Sequence, residues 1–138
     1  MAEIRTEIDL WKRIRPFLVM DGFPVRVENV LSQGMPDVTY ATKKGNIFIE
    51  LKIEHAGKIK LEDFQLPFMM QCLEWLPDGM YWFCVARSSG AIHYFTGREI
   101  LKGEQILMKS GLHVSLTGLT PSALAIGSNS LPTPLQKG

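Results

Sequence analysis

Gly34-Met35-Pro36-Asp37, followed thirteen residues after its acid by Glu50-Leu51-Lys52, is the stretch on which the reading of this chain turns. Asp37 opens a strand expected over Asp37 to Thr42. Glu50 and Lys52 lie two apart on the next strand, Ile47 to Ile53. Residues i and i+2 of a strand share a face, so Glu50 and Lys52 project together, while Ile47, Ile49, Leu51 and Ile53 fill the opposite face. Two carboxylates and an ammonium then converge on one region of space. Carboxylate oxygens suit a hard divalent cation, and a lysine beside them suits a phosphate or an attacking water. These residues are suited to cleaving a phosphodiester.

Outward from that core, the pattern is a compact α/β order. Ile4, Ile8, Trp11 and Leu18 recur at helical spacing, so a helix is expected from about Ala2 to Met20, ended by Asp21-Gly22 and Pro24. Val25 to Val30 reads as a strand, and Ser32-Gln33-Gly34 as a loop. Lys43 to Asn46 is the hairpin turn between the two motif strands. Glu54 to Lys60 reads as a mobile polar loop. Leu61 to Leu76 reads as a helix with Leu61, Phe64, Phe68, Cys72 and Trp75 or Leu76 on its inner side, and Pro67 as a potential kink. Met80 to Ala86 is an apolar, central strand. Ala91 to Phe95 is a further strand, and Arg98 to Lys102 a short helix. From Leu116 the chain is rich in Ser, Thr, Gly, Pro and Leu, and reads as an extended tail over 116–138 following a domain over 1–115.

The composition fits one core. The chain has 138 residues, 46% hydrophobic and 21% charged, with a net charge of +1. Any nucleic-acid surface must therefore come from local clustering of charge. Cys72 and Cys84 sit in apolar surroundings and read as free thiols of a reducing compartment. Residues 1–10 are charged and lack the apolar run of a secretory signal, and no apolar run is long enough to span a bilayer. The expected setting is cytoplasmic, in a bacterial host cell, with a phage origin open.

Pro36-Asp37 followed by Glu50-Leu51-Lys52 gives the PD…ExK pattern in full, and the chain here resembles the PD-(D/E)XK nuclease superfamily. The GxPD form strengthens the match, Leu61-x-x-x-Gln65 resembles the downstream Gln helix of its VRR-NUC and phage-type branch, and Arg26-Val27-Glu28-Asn29 resembles small phage members. The resemblance covers roughly Thr6 to Phe95. It implies an α/β single domain with a mixed central β-sheet flanked by helices, the restriction-endonuclease-like core. It also implies a metal-dependent endodeoxyribonuclease, and members of this size resolve branched DNA, including Holliday junctions, as homodimers.

The roles that follow can be given residue by residue. Asp37, Glu50 and the backbone carbonyl of Leu51 would bind Mg²⁺ or Mn²⁺. Lys52 would orient or help deprotonate the attacking water, or meet the developing charge. Glu7, on the first helix among Ile4, Ile8, Trp11 and Ile14, is the best match for a further acid, with Glu28 its rival. Gln65 would hold a metal-bound water, a phosphate or Lys52. Lys12, Arg13, Lys43, Lys44, Lys58 and Lys60 are the cations placed to meet a phosphate backbone.

Each residue also has a plainer reading. Asp37 can start a strand, Glu50 and Lys52 can be a weak ion pair on a solvated face, and Gln65 can bridge backbone groups. Three further alternatives stand beside the resolvase-like reading: a nicking or single-strand nuclease, a non-catalytic DNA-binding module on a degenerate nuclease fold, and an unrelated α/β domain.

Overall fold

Thr6 sets the start of the first helix. Its Oγ1 accepts from the Asp9 N–H at 3.1 Å, while Asp9 Oδ2 accepts from the Thr6 N–H at 3.1 Å, a reciprocal capping box. Helix α1 is therefore Glu7–Leu18, several residues shorter at its start than periodicity suggested. It buries Leu10, Ile14 and Leu18, whereas Ile8 is left half exposed. The structure is a computed structural model that describes residues 3–27, 34–126 and 129–130, the last strands by backbone alone.

Strands β1 (Phe23–Arg26), β2 (Val38–Thr42), β3 (Gly45–Ile53), β5 (Tyr81–Ala86) and β6 (Ile92–Thr96) form one mixed sheet in the order β1-β2-β3-β5-β6. Only β3 and β5 run parallel; the other neighbours are antiparallel. The parallel pair requires a crossover, and helix α2 (Gln65–Trp75) lies within it. β5 is buried at every position, as expected of a central strand. Helix α3 (Gly97–Leu101) follows β6. The architecture is a mixed central sheet flanked by helices in a single α/β domain, as the sequence implies.

The loop expected at Glu54 to Lys60 is instead a turn leading into a strand. His55 and Lys58 exchange backbone hydrogen bonds of 2.9 and 3.0 Å around Ala56-Gly57, both with positive φ (52° and 77°). Left-handed residues at both central positions suit the twist of a tight hairpin. β4 (Lys58–Leu61) then pairs with β8 (Gly111–Ser115), which pairs with β7 (Gln105–Met108), giving a second, three-stranded sheet. A short β9 (Ala125–Ile126) pairs with β10 (Asn129–Ser130).

Two cores result, one on each face of the main sheet. Leu10, Ile14 and Leu18 of α1 pack with Ile47, Ile49, Leu51, Trp82 and Tyr94. On the other face Met69 and Leu73 of α2 meet Tyr81, Phe83, Val85 and Phe95, with Ile59, Leu61 and Val114 of the second sheet. α2 differs from expectation in its phase. It buries Gln65, Met69 and Leu73, while Phe64 and Trp75 are 53% and 80% exposed. Pro67 lies in its first turn, where its missing N–H would have had no helical partner anyway, so no break arises.

Residues 116–124, in the stretch read as an extended tail, form neither helix nor strand. Leu116 and Leu124 are buried, and the Ser122 N–H donates to the Tyr94 carbonyl at 2.8 Å. β6 is an edge of the main sheet, yet its Ile92, Tyr94 and Phe95 are all buried within the chain. Among the described residues, no helix is long and apolar enough to cross a membrane.

Candidate active site

The motif gathers where the pairing of β2 with β3 ends. Their ladder reaches Val38↔Ile49. The Phe48 and Glu54 N–H groups point to the β5 side, donating to Met80 and Ala86 at 2.8 and 2.9 Å, so odd-numbered residues of β3 turn their backbone toward β2. Leu51 is the first of these past the ladder. Its N–H donates to Asp37 Oδ2 at 2.7 Å. Its carbonyl lies on the same edge of the strand, beside Asp37. Asp37 itself precedes β2, and its carbonyl accepts from the Val27 N–H at 2.7 Å.

The side chains of β3 divide as the strand period requires. Ile47, Ile49 and Leu51 enter the α1 core, and Glu50 and Lys52 face α2. Both charged residues are buried, at 0% and 4% exposure, so the plain reading of a solvated strand face does not hold. Gln65 joins them. Lys52 Nζ donates to Gln65 Oε1 at 2.6 Å, and the Glu62 N–H donates to the same oxygen at 2.6 Å. Gln65 Nε2 donates in turn to Glu50 Oε1 at 3.3 Å. The Tyr81 hydroxyl donates to Glu50 Oε2 at 2.7 Å. Among the described residues, no buried side-chain nitrogen or oxygen lacks a partner.

The electrostatics of this cluster favour added positive charge. Burial first and the Asp37 charge second raise the Glu50 carboxyl to about 8, with the Tyr81 hydrogen bond and Lys52 only partly offsetting them. Asp37 is also raised by burial, against the lowering effect of the Leu51 N–H and of Lys52. Glu7 is raised by burial and then by the charge of Asp37, with Lys52 and Arg26 opposing. All three carboxyls feel Lys52, whose ammonium is bonded to an amide oxygen, and Asp37 and Glu7 also feel Arg26, yet all three remain raised. Among the described residues neither Asp37 nor Glu50 has an ion pair.

The expected site residues are brought together unevenly. Asp37, Glu50, Lys52, Gln65 and the Leu51 backbone form one cluster. Glu7 reaches it as a neighbouring charge from the start of α1; among the described residues, no three His, Cys, Asp or Glu side chains are grouped to hold a metal. Glu28 lies outside the described residues. Lys58 and Lys60 alternate with the buried Ile59 and Leu61 on β4, with Lys60 3.7 Å from Glu62. Lys12 is exposed on α1, and Arg13 lines a cleft of ≈ 640 Å³ beyond the carboxyl ends of β3 and β5, with Arg5, Glu54 and Arg87. Lys43 and Lys44 sit at the β2–β3 turn, roughly 25 Å along β3 from Lys52 at the rise of a strand.

Tyr81 was not singled out in the sequence, and Arg26 entered only within the Arg26-Val27-Glu28-Asn29 resemblance, with no role at the site. The signal for Tyr81 was a phenol at the head of a wholly apolar strand, since a buried hydroxyl needs an acceptor. In the structure Arg26 lies on β1, across from Val38 at the start of β2, where its charge acts on Glu7 and Asp37.

No family model matches the chain, and no curated protein matches it in sequence. Among solved structures, it is similar in fold to a Holliday junction resolvase of the archaeal hyperthermophile Archaeoglobus fulgidus. The TM-score is 0.52 at 12% identity, covering 79% of this chain and 83% of the resolvase. At that identity the likeness is one of fold, and it agrees with the restriction-endonuclease-like architecture read from the sequence.

Proposed function

We propose that this chain is a metal-dependent endodeoxyribonuclease of the PD-(D/E)XK type, acting on branched DNA such as a Holliday junction. The observation that carries the reading is the bond from the Leu51 N–H to Asp37 Oδ2. It ties the two halves of the motif, on successive strands, into one largely buried site on a fold shared with a resolvase.

The donor set suits a hard divalent cation: two carboxylates and a peptide carbonyl, all oxygen, in a field short of positive charge. Asp37, Glu50 and the Leu51 carbonyl would hold Mg²⁺ or Mn²⁺, with Glu7 close enough to act through its charge. A bound cation would lower the pKa of water and offset charge on the phosphate. Lys52, held by Gln65, presents its ammonium to the attacking water or to the phosphoryl oxygens. Gln65 fixes Lys52 relative to Glu50, and Tyr81 fixes Glu50. Lys12, Arg13, Lys58 and Lys60 would contact phosphates along the duplex arms, with Lys43 and Lys44 meeting DNA further out. A homodimer would set two such sites on opposing strands of a junction.

The test is cleavage of labelled four-way junction, linear duplex and single-stranded DNA, with Mg²⁺ or Mn²⁺, by the wild type and Lys52→Ala. Paired nicks in the junction that vanish in the variant support the proposal. Equal cleavage of all three removes the preference for branched DNA, and no cleavage of any of them refutes the nuclease reading.

A further inference from the structure

Phe64 combines two costly features one residue before Gln65. Its backbone is left-handed, φ 73° and ψ −10°, a conformation in which a Cβ is strained and which bulky residues rarely adopt. Its ring is also 53% exposed, so burial does not repay the strain. Glycine at this position would relieve both. Strain of this kind persists only where the surroundings impose it, and it concentrates at functional sites.

The surroundings here belong to the active site. Gly34, at the start of the motif loop, packs so closely that a Cβ on it would meet the Phe64 carbonyl oxygen at 2.5 Å and Phe68 Cβ at 2.9 Å. On its other side Phe64 adjoins Gln65, whose side chain is bonded to Lys52, Glu50 and the Glu62 N–H. The backbone of Phe64 is thus clamped between the loop leading to Asp37 and the amide that holds Lys52. An aromatic ring is presented to solvent at the rim of the site, from a residue packed against Gly34 and adjoining Gln65.

We propose that Phe64 is a specificity-determining residue that stacks on a nucleobase beside the scissile phosphate, selecting DNA whose bases there are unpaired or easily unstacked. The proposal rests on the nuclease reading above and adds to it the part of the substrate that the ring recognises. A base fits better than a phosphate as the occupant. Of the two exposed carboxylates before the ring, Glu62 lies 3.7 Å from Lys60 and Asp63 adjoins the ring and disfavours a phosphate there, whereas every base has an uncharged face on which an aromatic ring can stack. Branch points offer such bases at the least unstacking cost.

The experiment uses the full chain and a four-way junction carrying 2-aminopurine next to the mapped cut. Asp37→Asn, which keeps an oxygen acceptor for the Leu51 N–H, serves as a background in which DNA is bound but not cut. Binding should raise 2-aminopurine fluorescence in that background. Adding Phe64→Gly should abolish the rise while fluorescence anisotropy still reports bound DNA. In the otherwise wild-type chain, Phe64→Gly and Phe64→Leu should slow junction cleavage at least about tenfold, and Phe64→Trp should restore it. Phe64→Gly should melt at an equal or higher temperature than wild type, because the strain is gone. An unchanged fluorescence rise, unchanged cleavage, or a lower melting temperature with parallel loss of activity would overturn the proposal. So would a halving of solution mass in Phe64→Gly, which would make the ring a contact between copies of the chain. Wild type that neither binds nor cuts DNA would instead remove the nuclease reading itself.

Discussion

The two faces of β3 are built from the same nine residues and behave as different materials. Toward α1 the strand presents Ile47, Ile49 and Leu51 to Leu10, Ile14 and Leu18, with no charged partner in that core. Toward α2 it presents Glu50 and Lys52, almost as fully buried, yet held by Gln65 and Tyr81 through directed hydrogen bonds. Apolar burial is non-directional and stabilises in proportion to area. Buried charge is costly unless each group is partnered. On its α1 face β3 therefore contributes through apolar area alone, whereas on its α2 face it sets a polar cluster among the apolar side chains of the second core.

If that division is right, substitutions on the two faces should separate function from stability. The largest effect belongs to Glu50→Gln. Cleavage should fall roughly 1000-fold, the scale of removing one group that acts on the transition state, while circular dichroism keeps the wild-type spectrum. Ile49→Ala, its neighbour on the other face, should cost about 2–5 kcal/mol of stability in urea denaturation, with turnover per folded molecule unchanged. Equal losses of stability in the two variants would erase the distinction between the faces.

A pH series sharpens the comparison. Burial raises Glu50 to about 8 and raises Asp37 and Glu7 as well, so the folded chain keeps protons that the unfolded chain releases near the ordinary carboxylate value of 4.5. Stability rises with pH only where the unfolded state holds more protons. Here the reverse holds, so metal-free protein should lose stability as pH climbs from about 4.5 to about 8 and level off above. The fall in Tm should be on the order of 10 °C. Glu50→Gln should flatten most of it, and Mg²⁺ should restore Tm at pH 8 more than at pH 5. A flat wild-type profile would show that Glu50 is not desolvated. The smallest effect is Tyr81→Phe, which removes one hydrogen bond to Glu50. It should raise the Mg²⁺ concentration for half-maximal cleavage roughly tenfold, typical of the groups that orient a metal ligand, with little change in the rate at saturating metal.

Much of this division was legible in the sequence. The alternation through Ile47 to Ile53 assigned opposite faces to the isoleucines and to the Glu50–Lys52 pair, and the family resemblance of Leu61-x-x-x-Gln65 pointed to Gln65, with Lys52 as one of three partners it could hold. The phase of α2 was not legible, because periodicity counts Phe64 and Trp75 as core by their hydrophobicity. The helix is turned instead to bring a polar residue, Gln65, inward, and only the Glu50–Lys52 cluster supplies the reason. β4 was hidden for a related reason. Lys58-Ile59-Lys60-Leu61 alternates like a strand, but it is four residues long and follows a glycine turn, so it passes for loop until β8 covers it. β7 and β8 were missed with it, since neither has a core to face without β4.

The pairing of β4 with β8 also has a temporal consequence. Lys58–Leu61 finds its partner only at Gly111–Ser115, about fifty residues later, after β5, β6 and α3 have been laid down between them. Contacts so distant along the chain form late, because loop closure must precede their reward. During synthesis the motif strand emerges long before the sheet that covers Ile59 and Leu61 on the α2 side. Asp37, Glu50 and Lys52, with Gln65 and Tyr81 that hold them, are thus all made before the strand that closes the second sheet over Ile59 and Leu61, so the polar cluster is built before its surroundings are complete.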